Sequence, residues 1–267
     1  RHQMTAPRKT LRSDMGCSDA TRIRVQGMDL MQDIMGKLNL GDFAFLEIQG
    51  RLPSPSESVV FNAMLATLVE HGMTPMAIAT RLTYLGAPES LQGAVASGLL
   101  GMGTTFAGTA EGSARLLQEA LSGPNSDIAE SQLPELAESL VQKMREARQP
   151  IPGIGHNIHK PLDPRTTRLF ELAAHNGLSG RYVRLMQEVA SAAERALNKP
   201  GQLPVNATGA LGALSSELGI SWRLCRGLAV IGRSIGLVGH IAEELRNPIA
   251  RDIWERTEHE CSSHVQW

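Results

Sequence analysis

The chain has 267 residues, 42% of them hydrophobic and 20% charged, which is enough apolar material for one large domain or two interleaved ones and excludes a disordered chain. A formal net charge of -1 gives no general pull toward nucleic acid or an anionic membrane, so any anionic ligand has to be held by a local patch. Cys17, Cys225 and Cys261 are odd in number and widely spaced, which fits a reducing cytoplasm better than a disulfide framework.

No uninterrupted apolar run of about 18 residues occurs, and the opening segment with Arg8, Lys9 and Arg12 lacks the apolar stretch of a secretory leader. The expectation is therefore a protein neither exported nor membrane-spanning. Aromatic residues are 4% of the chain, alternating apolar and polar runs are nearly absent, and apolar residues recur at intervals of three and four, which predicts an all-α fold. The exception is Arg22-Ile23-Arg24-Val25, an alternating stretch before Gly27 that reads as a short strand.

Ser54-Pro55-Ser56-Glu57 has the form of a capping box with proline at the first helical position, and Phe61, Met64, Leu65, Leu68 and Val69 follow on one face. This helix is predicted to run to His71 and stop at Gly72, leaving His71 at a helix end beside a cleft. Thr74-Pro75 opens the next helix, with Ile78, Leu82 and Leu85. Six glycines at 93, 98, 101, 103, 108 and 112 indicate close helix packing, with direct ligand contact as the alternative.

Gly123-Pro124-Asn125-Ser126-Asp127 breaks the pattern before an amphipathic helix over Pro134 to Arg148. The segment from Pro150 to Arg165, Pro-Ile-Pro-Gly-Ile-Gly-His-Asn-Ile-His-Lys-Pro-Leu-Asp-Pro-Arg, is too rich in proline and glycine to be helical, and loops of this kind often carry function. Helices are predicted from Pro164, from a cap at Ser179 to near Asn198, from a cap at Asn206, and from Ser221 to about Leu245 before Pro248.

Within the loop, Lys160, Arg165 and nearby Arg168 outweigh Asp163, so an anion site is expected, with the amides at Gly153 and Gly155 as further donors. No strand precedes this Gly-x-Gly, which argues against a dinucleotide fold. Histidine exchanges protons near neutrality, which makes His156 and His71 candidates for acid–base work at a carbonyl or alcohol oxygen. His156 and His159 lack a nearby carboxylate or cysteine cluster to complete a metal set, and a frayed C-terminal tail accounts for His259, Cys261 and His264, so no metal is expected. Arg226, Arg233 and His240 recur every seven residues on one helix face. Arg233, embedded among apolar residues, is the better candidate for binding an acid.

Taken together, Glu70-His71-Gly72, Ser97-Gly98-Leu99-Leu100-Gly101, Gly153-Ile154-Gly155-His156 with Asp163-Pro164-Arg165, and Gly232-Arg233-Ser234-Ile235-Gly236 with Gly239-His240 resemble the citrate synthase superfamily, over roughly Ile23 to Trp254. Within it they are most similar to the citryl-CoA lyases and the corresponding module of ATP-citrate lyase. The resemblance implies an all-α fold with an active site between a large domain (1–72 and 209–267) and a small one (73–208), usually completed by a second subunit of a homodimer or higher homo-oligomer. It implies that His71 stabilises a thioester enolate and that His156 exchanges a proton with the oxygen of the oxaloacetate portion. Arg165, Arg233 and Asn206 would bind substrate carboxylates, and Gly153, Ile154, Gly155, Lys160 and Lys199 would bind coenzyme A.

The family's catalytic aspartate lies in an Asn-Val-Asp motif; here the stretch reads Asn206-Ala207-Thr208-Gly209, and Thr208 is no base at neutral pH. The departure weakens condensation, which needs a base at the acetyl-CoA methyl group, more than cleavage. What the resemblance implies is then cleavage of citryl-CoA or a related 3-hydroxyacyl-CoA to acetyl-CoA and a 2-oxo acid such as oxaloacetate. The alternatives are the synthase direction, and an acyl-CoA-binding homologue that has lost turnover.

Overall fold

The computed structural model describes residues 10–156 and 158–266; Arg8, Lys9 and the loop residue Asn157 lie outside them. Three short antiparallel strands, β1 (Gly16–Ser18), β2 (Ile23–Val25) and β3 (Met28–Asp29), form a small sheet in that order. The two-residue turn between β2 and β3 uses positive φ at Gln26 and Gly27, as a tight hairpin requires.

The other regular elements among the described residues are helical. The helices are α1 (Leu40–Gln49), α2 (Pro55–Val69), α3 (Pro75–Gly86), α4 (Leu91–Leu100), α5 (Gly108–Ala120), α6 (Leu133–Glu146), α7 (Pro164–His175), α8 (Arg181–Leu197), α9 (Ala207–Glu217), α10 (Trp222–Arg246) and α11 (Ala250–Ser262). The caps expected at Ser54, Thr74 and Asn206 form as predicted, each side chain accepting an amide of its helix's first turn.

Three boundaries differ from expectation, the first through a local bond and the other two because a distant group replaces a local one. Helix α2 ends at Val69, not His71, since Glu70 is extended and its own carboxylate accepts the next two amides. Helix α8 starts after Gly180 rather than at a Ser179 cap, because Glu217 of α9 accepts the amides of Tyr182 and Val183 at 2.9 and 3.0 Å. Helix α10 opens after Ser221 and ends at Arg246 as expected, with Trp222 N donating to Gln118 Oε1 at 3.0 Å. The tail expected to fray is helix α11, whose first amides, from Ile249 and Ala250, are taken by Glu244 of α10.

The main core gathers Phe45, Phe61, Met64, Leu117, Leu133, Met186 and Leu214, all below 1% exposure, from α1, α2, α5, α6, α8 and α9. Helix α9 is buried from Gly209 to Ser216. A smaller cluster joins Met76 of α3 and Met102 and Ala107 to Ala229 and Leu237 of α10. In the glycine-rich stretch, Gly98 is a packing residue: a Cβ there would stand 2.3 Å from Thr80 Oγ1 and 2.9 Å from the Met76 carbonyl. Helix α10 is long and apolar enough to span a membrane by composition, but its buried stripe contributes to both clusters, the role of a core helix.

Candidate active site

The loop from 150 to 163 is stitched to the chain entering α9. Gly153 O accepts the Asn206 amide at 3.0 Å, Gly155 N donates to Pro204 O at 2.7 Å, and Ile154 bridges Val205. Both glycines have positive φ, and a Cβ on Gly153 would meet Ser113 Oγ at 2.5 Å and Gly209 Cα at 2.6 Å, so no larger residue fits. Asn206 closes the clip by donating to Gly155 O at 2.8 Å, while its Oδ1 accepts the Thr208 and Gly209 amides and the Thr208 hydroxyl. The acceptor of Asn206 is thus committed to the helix, and the Thr208 hydroxyl points its proton inward to Asn206.

Asp163, 1% exposed, is the junction of this site. Its Oδ1 accepts Arg165 N and Nε at 3.0 and 3.1 Å, and its Oδ2 accepts Arg165 Nη2 at 2.9 Å and the first amide of α9, from Ala207, at 3.1 Å. Burial alone would raise its pKa, but the Arg165 bonds and charge outweigh burial and hold the carboxyl below its ordinary range. The sequence showed Asp163 as a charge against the basic patch and as part of the Asp163-Pro164-Arg165 motif, without a role of its own; an aspartate before a proline that opens a helix was the available signal.

His156 Nδ1 accepts the amides of Ile158 and His159, each at 3.0 Å, so its proton sits on Nε2, 3.5 Å from Arg165 Nη2. The His159 ring lies against it, with centroids 4.4 Å apart. Burial and the charges of His159 and Arg165 lower the pKa of His156, opposed by Asp163; His71 is near enough to add to the lowering.

His71 lies exposed in the turn after α2, where Glu70 Oε1 accepts its amide at 2.9 Å and that of Gly72 at 2.5 Å. Helix α10 holds this turn. Gly232 and Gly236 let it approach so closely that a Cβ on Gly236 would stand 1.9 Å from Val69 O. Arg233 donates to Leu68 O at 3.2 Å and reaches Thr74 Oγ1 at 3.5 Å, straddling the turn. Arg226 is paired with Glu111 at 3.1 Å, whereas Arg233 has no carboxylate at ion-pair distance among the described residues. Burial pulls the pKa of Arg233 down and Glu70 resists. A half-buried cation of this kind suits an incoming carboxylate.

A cavity of about 460 Å³ is lined by Ile154, Gly155, His156, Lys160, Gln202 and Leu203, which brings Lys160 and the glycine loop to the His156 ring. Lys199 is exposed in the turn whose carbonyl accepts Gln202 N at 3.2 Å, at the edge of the same loop. A larger cavity of about 940 Å³ between α5, α6 and the loop meets Gly153, Ile154 and Asn206 but neither imidazole. No group of three His, Cys, Asp or Glu side chains able to hold a metal is found among the described residues.

The family model for the citrate synthase C-terminal domain matches residues 20–254. A probable ATP-citrate synthase of Dictyostelium discoideum is 27% identical over 249 residues, covering 86% of this chain but 38% of the relative; the chain thus spans little more than a third of that protein. Among solved structures, citryl-CoA lyase from Hydrogenobacter thermophilus superposes with a TM-score of 0.79 at 32% identity, over 90% of this chain and 88% of the other. ATP citrate lyase from Methanothrix soehngenii, solved with citrate and coenzyme A, gives 0.73 at 24% identity, over 91% of this chain and 40% of that one.

Proposed function

Since the chain belongs to the citrate synthase family, we propose that it is a citryl-CoA lyase, splitting citryl-CoA or a related 3-hydroxyacyl-CoA into acetyl-CoA and oxaloacetate or another 2-oxo acid. What supports this reading is His156 at the glycine-loop cavity with Arg165 beside it, His71 near enough for its charge to act on that ring, and Arg233 against the end of the helix that precedes His71. The likeness to citryl-CoA lyase over nearly its whole length favours cleavage over condensation. So does Thr208, whose hydroxyl is spent on Asn206 and cannot deprotonate a methyl group.

In the cleavage direction the substrate hydroxyl gives its proton to His156 Nε2. The bond between the carbinol carbon and the thioester's α-carbon breaks, the carbinol becomes the keto group, and the electron pair passes to the thioester carbonyl as an enolate. His71 stabilises the enolate oxygen, water protonates the carbon to give acetyl-CoA, and the hydroxide left behind takes back the proton held by His156, which restores the neutral ring. For Nε2 to be free, the amides of Ile158 and His159 must release Nδ1 so that the ring proton moves there. Arg165 and Arg233 hold the carboxylates of the acid portion, and Lys160 and Lys199 meet coenzyme A at the cavity beside Gly155.

The same reading makes the enzyme a metal-independent homo-oligomer of the cytoplasm, with its cleft between the 73–208 unit and the rest. Exposed Ile235, Val238 and Leu245 on α10, at heptad-like spacing, support a second copy.

Purified protein given citryl-CoA should release oxaloacetate, read by coupled oxidation of NADH with malate dehydrogenase. His156→Ala should lower kcat by roughly 10²–10⁴-fold with coenzyme A affinity retained, whereas Lys160→Ala should chiefly weaken binding, by roughly three- to tenfold for a charge at an exposed rim. The reverse pattern defeats the residue assignment. Citrate formation from acetyl-CoA and oxaloacetate without cleavage of citryl-CoA would make it a synthase, and coenzyme A binding with neither reaction a binding protein.

A further inference from the structure

Behind the His71 turn lies a line of charged groups that the reaction does not touch. Arg81 of α3 is fully buried. Its Nη1 donates to Glu244 Oε2 at 2.7 Å, its Nη2 bonds Glu243, and its Nε and Nη2 stand 3.1 and 3.0 Å from Nδ1 of His240, itself 8% exposed. A guanidinium only donates, so Nδ1 must accept and the ring carries its proton on Nε2. That nitrogen is 3.1 Å from Glu70 Oε1, the oxygen that also accepts the amides of His71 and Gly72. The bonds run one way: guanidinium to imidazole, imidazole to carboxylate, carboxylate to the backbone of the His71 turn.

We propose that Arg81 and His240 are positioning residues for His71, acting through Glu70; this rests on the assignment of His71 to the chemistry. Glu70 is half-exposed and, without a third donor, is free to swing toward water and release the two amides. His240 pins the shared oxygen, and Arg81 pins His240 in the only tautomer that can donate to it. Apolar residues in place of Arg81, His240 and Glu244 would fill the same space at less cost in desolvation, so the polar line specifies a geometry rather than adding stability. The contact of His240 with Glu70 is the bond of a neutral ring, since a second ring proton would face the guanidinium.

The first test reads the ring itself. Histidine ¹⁵N shifts of the full chain at neutral pH should show His240 as the Nε2–H tautomer, and a Nδ1–H or doubly protonated ring overturns the proposal. The second uses kinetics on citryl-CoA. His240→Ala should lower kcat about tenfold or more with KM changed less than about threefold, since positioning of a transition-state contact is lost rather than binding. Glu70→Ala should behave alike, while Glu70→Gln, which keeps an oxygen for the amides, should stay within about threefold of wild type. Folded His240→Ala with unchanged kcat, whatever its melting temperature, overturns the proposal. Should that variant not fold, the surface-facing Glu70 pair decides it alone. If the wild-type protein cleaves no acyl-CoA, the functional reading fails, and the line is judged on the tautomer and on whether His240→Ala moves the His71 ring resonances.

Discussion

The two ends of helix α2 are held in opposite ways. At its start, Ser54 Oγ accepts the Glu57 amide at 3.2 Å, Glu57 accepts the Ser54 amide at 2.8 Å, and Arg51 grips the same carboxylate at 2.7 and 2.8 Å. Every partner lies within seven residues. At its end, the turn carrying His71 is fixed by Arg233 and His240, more than 160 residues away in the chain. The start decides only that a helix begins there, and any protein can spare such a cap at a cost of about 1 kcal/mol. The end decides where an imidazole points, so it draws on α3 and α10, whose own positions depend on the finished core.

The sharpest way to break this contrast is Gly236→Ala. A Cβ there would stand 1.9 Å from Val69 O and 3.2 Å from Glu70 Oε2, and since the Val69 carbonyl is backbone and cannot turn aside, α2 and α10 must separate. Overpacking of this kind costs roughly 1–3 kcal/mol or more. The cleavage rate should fall further than stability alone explains, because the whole His71 clamp shifts. Denaturant unfolding paired with kcat on the folded fraction checks this, and wild-type turnover in Gly236→Ala would show that α10 does not place the turn.

A smaller effect concerns the other imidazole. Burial and the charges of His159 and Arg165 disfavour the cation of His156 and prevail over Asp163, so the neutral base persists below the ordinary histidine pKa of 6.5. The acid limb of the kcat/KM profile should accordingly fall below that value. His159→Gln removes one of the opposing charges and should move the limb upward. A limb that stays in place removes His159 from the account of His156.

The same division between near and far explains what the sequence disclosed. The all-α class and the strand at Ile23–Val25 were legible in the spacing of apolar residues, and the caps Ser54, Thr74 and Asn206 because each partner lies within a turn. The starts of α8 and α11 were not, because Glu217 and Glu244 supply their caps from another helix. In the site, the glycine loop, His156, Arg165 and Arg233 stood out by composition and motif. Asn206 turned out to spend its acceptor on α9. Arg81 escaped notice, since an arginine on an amphipathic helix reads as solvated. Its trace lay in the facing helix, where His240, Glu243 and Glu244 crowd one turn and call for a buried cation.

The smallest expected effect tests the local end. Glu57→Ala removes the acceptor of the Ser54 amide and the partner of Arg51, but it strands no buried charge, since Arg51 is half-exposed and keeps its contact over the Phe45 ring at 5.1 Å. The loss should be about 1 kcal/mol, or roughly 2–4 °C in melting temperature for a chain of this size, with kcat unchanged. Arg51 leads the interactions that lower the Glu57 pKa from 4.5 to about 2, prevailing over burial. A carboxylate depressed in the folded state contributes stability in full above its unfolded value and loses it as pH falls through its folded one. The gap between wild type and Glu57→Ala should therefore be widest above pH 4.5 and close toward about 2. A gap that persists undiminished in acid would mean that the ionised Glu57 carboxylate is not its source, and one accompanied by lost turnover would mean that the two ends of α2 are coupled after all.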